Sequence, residues 1–205
     1  MYIPSHFEIK NKNELIRIIS ENPLGILVTD NNGLDANHIP FLFDASQGEI
    51  GTLIAHVARS NPICHEKTNS NVLVIFRGVE SYISPNWYPS KHETHRQVPT
   101  WNYEVVHAYG KLCVYDDAKF VRSVVGKLTK IHESTEEKPW KMNDAPQDYM
   151  EMMIKEIVGI EVTITNIIGK SKLSQNRETR DRYGAITALE INGNLEMAKA
   201  IKNKI

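Results

Sequence analysis

LGILVTDNNGLDANHIPFLFD, from Leu24 to Asp44, contains two apolar, β-branched runs separated by Asn31-Asn32-Gly33. An Asn-Gly pair between two such runs signals a hairpin, because the turn needs positive φ and Gly supplies it at no steric cost. The second run carries Pro40. Proline has no amide hydrogen to give a neighbouring strand, so pairing is expected to stop, bulge or run along an edge there. The β-structure therefore opens with an antiparallel hairpin that leaves part of its second strand free.

Toward the N-terminus, Asn13 to Glu21 gathers Leu15, Ile16, Ile18 and Ile19 into a short helix ended by Pro23. Toward the C-terminus, a turn over Ala45 to Gly48 leads into GEIGTLIAHVA, after which Arg59-Ser60-Asn61-Pro62 opens a loop or short helix. NVLVIFRG, Asn71 to Gly78, reads as a strand buried on both faces, and SYISP adds another. A polar loop over Asn86 to Gln97 precedes VPTWNYEVVHAYGKL, Val98 to Leu112; the last strand is VGIEVTITNIIGK. Helices are expected at about 117–133 and 146–157, then over Thr179 to Leu189 and Leu195 to Lys202. Short strands joined by turn chemistry, with a few peripheral helices, predict a mainly β protein built on a small antiparallel barrel. The expected division is one domain over 1–176, inserted helices included, and a helical appendage over 177–205. Side chains fill the interior of so small a barrel, so a ligand would sit outside it, in a groove or between subunits.

The 205 residues carry 24 basic and 25 acidic side chains, a formal net charge of -1, so no global positive field draws the chain to nucleic acid or anionic lipid. Cys64 and Cys113 are the only cysteines and make no disulfide framework. No run approaches the roughly 20 apolar residues of a membrane span. The expected compartment is the cytoplasm, with no membrane partner.

Four clusters and one strand could carry chemistry. Asn37-His38-Ile39-Pro40-Phe41 offers a ligand the strand face that Pro40 leaves unpaired; an edge strand with a half-buried histidine explains it equally well. His56-Val57-Ala58-Arg59-Ser60-Asn61-Pro62 combines a forked cation, a hydroxyl and amides into a phosphate cradle, or else into a surface turn capping a helix. His92 and His95 stand at chelating spacing in a polar loop where solvated histidines are the commoner outcome, and no metal is assigned. Lys172 to Arg177 concentrates donors suited to an anion or a heterocycle edge, or to a solvated strand end. VPTWNYEVVHAYGKL places Trp101 and Asn102 on a strand whose polar aromatic atoms need partners, as at a ligand or an interface. No catalytic triad order, nucleophile elbow or nucleotide fingerprint occurs, so no catalytic residue is named.

Taken together, MYIPSHF, GLDANHIPF, HVARSNP, YISPNWYPSK, VPTWNYEVVHAYGKL, VGIEVTI and KLSQNR resemble the PaiB family, described as FMN-binding negative transcriptional regulators. The resemblance runs from Met1 to about Arg182. It implies the FMN-binding split β-barrel shared with pyridoxamine-phosphate-oxidase-like proteins, a homodimer with flavin in the groove between subunits. By that resemblance His38, Ile39, Pro40 and Phe41 lie beside the flavin ring, and His56, Arg59, Ser60 and Asn61 bind ring and phosphate. Lys172, Ser174 and Gln175 fall near flavin and substrate, with Trp101 and Asn102 bounding the ring or bracing the groove. The oxidases have an Arg-Lys pair where this chain has Asn61-Pro62, which leaves Arg59 as the expected main contact to the phosphate. Haem is the alternative cofactor.

The resemblance implies negative regulation of sporulation and degradative-enzyme genes. Two other readings stay open: a flavin-dependent oxidoreductase acting on a small molecule, and a flavin- or haem-binding sensor. Residues 170–205 hold eight basic against four acidic side chains, a local excess of four, and two helical pieces flank Gly193 as in a helix-turn-helix. LEMAKAIKNK offers little but lysine, which suits phosphates rather than bases. The terminal helices are therefore expected to pack on the barrel or the dimer, with direct DNA binding weak or absent and regulation indirect.

Overall fold

The computed structural model describes residues 1–30, 33–65 and 68–205. Its strands are β1 (Leu24–Asp30), β2 (Leu34–Pro40), β3 (Leu42–Asp44), β4 (Thr52–Ala58), β5 (Ser70–Ile83), β6 (Thr100–Tyr115) and β7 (Ile157–Lys172). Its α-helices are α1 (Lys12–Glu21), α2 (Pro89–Thr94), α3 (Ala118–His132), α4 (Gln147–Lys155), α5 (Thr179–Ile191) and α6 (Leu195–Lys202). The strands form one sheet in the order β2-β1-β5-β6-β7-β4-β3.

The opening hairpin forms as expected: β1 and β2 pair antiparallel, with Leu24 opposite Pro40 and Asp30 opposite Leu34. Asn31 and Asn32 of the expected turn lie outside the described residues; Gly33 has φ +104°. LDANHIPFLFD, expected as one strand, breaks after Pro40, where β2 ends against β1 and β3 begins against β4. The missing amide hydrogen of Pro40 is where the chain changes partner. NVLVIFRG and SYISP, expected as two strands, run on as the single 14-residue β5. Gly78 makes no turn there; a Cβ on it would stand 3.0 Å from that of Glu104, so the glycine serves close strand approach.

The chain divides into two compact units. One comprises Pro23–Ile75 and Ala108–Ile167. Leu27, Leu53, Ala55, Val74, Leu112, Ile160 and Val162 are fully buried in it. Side chains alternate along β4, so Ile54 faces the other way and packs against Val124 and Leu128 of α3. Asp117 caps α3 by accepting the amide hydrogen of Phe120 at 2.6 Å. In the same unit β4 pairs antiparallel with β7, His56 opposite Gly159.

The other unit joins three separated stretches, Met1–Asn22, Phe76–His107 and Ile168–Ile205. Its core gathers Ile83, Tyr88 and Leu173 with Ala185, Ile186 and Leu189 of α5 and Met197, Ala198 and Ile201 of α6. The apolar faces of both terminal helices are therefore buried. Lys204, just past α6, forms an ion pair with Glu14 of α1, and the amide of Ile9 donates to the carbonyl of Gly169 at 3.0 Å. The loop expected over Asn86 to Gln97 contains α2, whose first turn is capped by Asp181 of α5: the carboxylate accepts from the Ser90 amide at 2.9 Å and hydroxyl at 2.6 Å.

Candidate functional site

The predicted site residues fall into two groups, one in each unit. In the Pro23–Ile75 and Ala108–Ile167 unit, alternation along β2 sends Ile39 inward, 4% exposed, and His38 and Pro40 outward. Phe41, between β2 and β3, is 2% exposed, so Ile39 and Phe41 are core residues. His56 follows Ile54 by two along β4 and shares its outward face, beside α3. There a cavity of about 500 Å³ opens, walled by Pro23, Leu24, Pro40, His56, Leu128 and Trp140. Thr129, His132 and Glu133 add polar atoms at the end of α3. The cavity brings together Pro40 and His56 from the predicted set. Nδ1 of His56 is buried and has no hydrogen-bond partner among the described residues. Burial pushes the His56 pKa below its ordinary value, which favours the neutral ring.

The predicted phosphate turn is differently disposed. Arg59 forks onto Asp116, at 2.7 Å and 2.8 Å, and its Nε donates to the carbonyl of Lys155 at 2.5 Å. Its own backbone amide donates to Glu156 at 2.8 Å. The guanidinium thus ties the end of β4 to the chain around α4 and the start of α3. Asn61 donates from Nδ2 to Asn37 Oδ1 at 3.0 Å and accepts from the amide of Ile63 at 3.0 Å, so it joins β2 to the turn. Ser60 and His38 are exposed.

In the other unit, the start of β6 meets the end of β7. Asn102, fully buried, donates from Nδ2 to Ser174 Oγ at 2.9 Å, and the Tyr88 hydroxyl lies 3.4 Å from the same oxygen. Ser174 sits at φ +62°, a left-handed position at the strand's end. Gln175 accepts from the Leu173 amide at 2.7 Å and donates to the Ser171 carbonyl at 2.6 Å; both ends of its amide brace the strand terminus. Trp101 is 56% exposed, its ring edge-to-face with Tyr82 at 6.2 Å. Lys172 donates to Thr100 Oγ1 and, at 2.6 Å, to the Trp101 carbonyl. In the α2 region, His92 Nε2 lies 3.1 Å from the carbonyl of Asn86, and no group of three or more metal-ligating side chains occurs among the described residues.

Sequence reading missed His132 and Trp140, which reach the cavity from a helix end and an irregular segment with no motif of their own. Lys170 lies outside the Lys172 to Arg177 cluster read in the sequence, although it stands two residues from Lys172 and charge spacing alone could have drawn it in.

Comparison with known proteins bears on the family and the fold. Residues 1–166 match the family model described as "Putative FMN-binding domain". The chain is 31% identical over 210 residues to "Protease synthase and sporulation protein PAI 2" of Bacillus subtilis, covering 100% of this chain and 98% of that one. An uncharacterized protein of Emericella nidulans is 35% identical, with 92% and 90% coverage. Among solved structures, the flavocytochrome Anf3 from Azotobacter vinelandii superposes with TM-score 0.61 at 9% identity, covering 83% of this chain and 72% of that one. An FAD and heme binding protein from Mycobacterium smegmatis gives TM-score 0.53 at 13% identity, with 80% and 73% coverage.

Proposed function

Because the chain belongs to the FMN-binding, PaiB-type family of split barrels, we propose that it binds FMN with the flavin ring in the cavity beside His56, and that it works as a homodimer. The observation that carries this reading is an apolar cavity walled in part by His56, whose buried Nδ1 has no hydrogen-bond partner among the described residues. An unpaired buried nitrogen costs free energy, on the order of 1–3 kcal/mol, which a ring carbonyl or N–H of the flavin would offset. Pro40, Leu128 and Trp140 would exclude water from the ring, and His56 would fix its orientation. Bound flavin supplies one- and two-electron transfer, and the protein's part is to hold and tune it.

For the phosphate, the engagement of Arg59 with Asp116 shifts the role toward exposed Ser60, His38 and the amides of the turn. Leu34, 82% exposed on the edge strand β2, supports self-association. An influence on transcription would be indirect: α5 and α6 bury their apolar faces, and Lys199 and Lys204 line a cleft shared with Glu14, Glu104 and Glu196. PAI 2 is named for protease synthesis and sporulation, and a flavin-dependent signal feeding such control fits this reading.

The test is an absorbance spectrum of freshly purified protein, mass analysis of the released ligand, and reconstitution of the His56→Ala variant. Flavin bands in the parent and their loss in a folded variant are expected. Colourless parent protein that fails to take up FMN, FAD or riboflavin would end the flavin reading. A haem spectrum would favour the second reading, which rests on His56 and His132 sharing one cavity.

A further inference from the structure

At the end of β7, Lys170, Lys172 and Arg177 form a cationic cluster whose partners are all neutral. Lys170 is 9% exposed; its ammonium lies 5.2 Å from the Tyr103 ring centroid and 5.9 Å from that of Tyr2, and it donates to the Tyr2 carbonyl at 3.4 Å. Lys172 is held by a hydroxyl and a carbonyl. Arg177 donates to Gln97 Oε1 at 2.6 Å and lies over the Tyr88 ring at 5.4 Å. Among the described residues none of the three enters an ion pair.

Burying like charges without a counter-ion is unfavourable, and the effect is visible on Lys172, whose pKa is pushed down by burial and by Lys170 and Arg177. Several other cations are paired with an acid: Arg59 with Asp116, Arg180 with Glu93, Lys204 with Glu14. The cluster therefore lacks an anion. Beside it, Tyr82 and Trp101 expose an edge-to-face aromatic pair, 43% and 56% accessible, on the strand whose Trp101 carbonyl holds Lys172. Such a surface stacks a planar ring.

We propose that Lys170, Lys172 and Arg177, with Trp101 and Tyr82, bind a small aromatic anion, a planar ring bearing a phosphate or carboxylate, as a second ligand distinct from the flavin. This goes beyond the flavin reading and does not rest on it: every residue named belongs to the Met1–Asn22, Phe76–His107 and Ile168–Ile205 unit.

The test is calorimetric titration of the protein as purified with phenyl phosphate, inorganic phosphate and phenol, with bound flavin followed by absorbance in the same cell. Phenyl phosphate is expected to bind at least about tenfold more tightly than either fragment. Lys172→Gln should weaken it by about tenfold or more, Lys172→Arg should restore it, and Trp101→Ala should remove only the advantage over inorganic phosphate. In the unmodified protein, phenyl phosphate should also slow acylation of Lys172 relative to the other lysines, read by peptide mass. Equal affinity in the parent and Lys172→Gln, together with no protection of Lys172, would overturn the proposal. Release of flavin in step with phenyl phosphate binding would overturn it too, because one site would then serve both. If the purified protein holds no flavin, the titration stands by itself, and its outcome is independent of that failure.

Discussion

Arg59 and Asp116 meet as a fork on a carboxylate, Nη1 to Oδ2 at 2.7 Å and Nη2 to Oδ1 at 2.8 Å. The turn that reads as a phosphate cradle in the sequence thus has its cation matched by an acid from the start of α3. A phosphate could claim Arg59 only by displacing Asp116. Arg59→Ala is therefore expected to change FMN and riboflavin affinities alike, within about twofold of each other, as for an exposed pair acting through local structure. Fluorescence titration of both ligands decides it. A loss confined to FMN would show that Arg59 leaves Asp116 for the phosphate.

Burial holds the His56 pKa below its ordinary value, so the unfolded chain takes up this proton at a higher pH than the folded one. The resulting stability is present above the ordinary imidazole value of about 6.5 and falls as the pH drops through it. His56→Gln should shrink the difference in urea midpoint between about pH 7.5 and about pH 5.5. An unchanged difference would assign the acid sensitivity to another group.

Glu161 on β7 is 9% exposed, and burial raises its pKa, with Asp44 adding to the rise and Tyr115 opposing it by hydrogen bonding. Here the sign reverses. The folded state holds the proton more tightly, so the contribution is present below the ordinary carboxyl value of about 4.3 and is lost as the pH rises through the folded value. Glu161→Gln should therefore stabilise the protein at neutral pH, with the gain disappearing in acid. Denaturation of parent and variant across that range would show parallel curves if the idea is wrong.

Leu189 is 1% exposed in the cluster that joins α5 and α6 to Ile83, Tyr88 and Leu173. Leu189→Ala should cost about 2–5 kcal/mol of unfolding free energy, as for a core leucine. Chemical denaturation giving less than about 1 kcal/mol would mark the terminal helices as loosely attached.

Features with short-range causes were legible in the sequence. Leu195–Lys202 begins and ends as read because Asn194 caps it and Gly193, at φ +78°, sets the preceding turn. The opening hairpin follows from alternation and Asn-Gly. Pro40 was read as an interruption, but the switch from β1 to β4 depends on where those strands lie. NVLVIFRG and SYISP read as two strands because the reason for Gly78, the approach of Glu104, belongs to another strand. The candidate site divides in the same way. Pro40 and His56 were legible as residue types at a proline-broken strand and a strand end, whereas Asp116, His132 and Trp140 reach their places only through tertiary packing. The cap of α2 by Asp181 joins positions 91 residues apart and leaves no local trace.

The interleaving of the second unit has a consequence for synthesis. Its helix α1 is made before the unit's other two segments, and the Lys204 that pairs with Glu14 and the Gly169 that receives Ile9 come after residue 167. The unit containing the hairpin and the His56 cavity has all its segments once Ile167 has been released. Translation thus supplies α1 with Glu104, the partner of Arg17, before Ile167, and with Gly169 and Lys204 only after it. At about 5–20 residues per second, the stretch between Leu15 and Gly169, against which it packs, takes roughly 8–30 seconds to make, an interval in which a chaperone would have its clearest hold on that side chain.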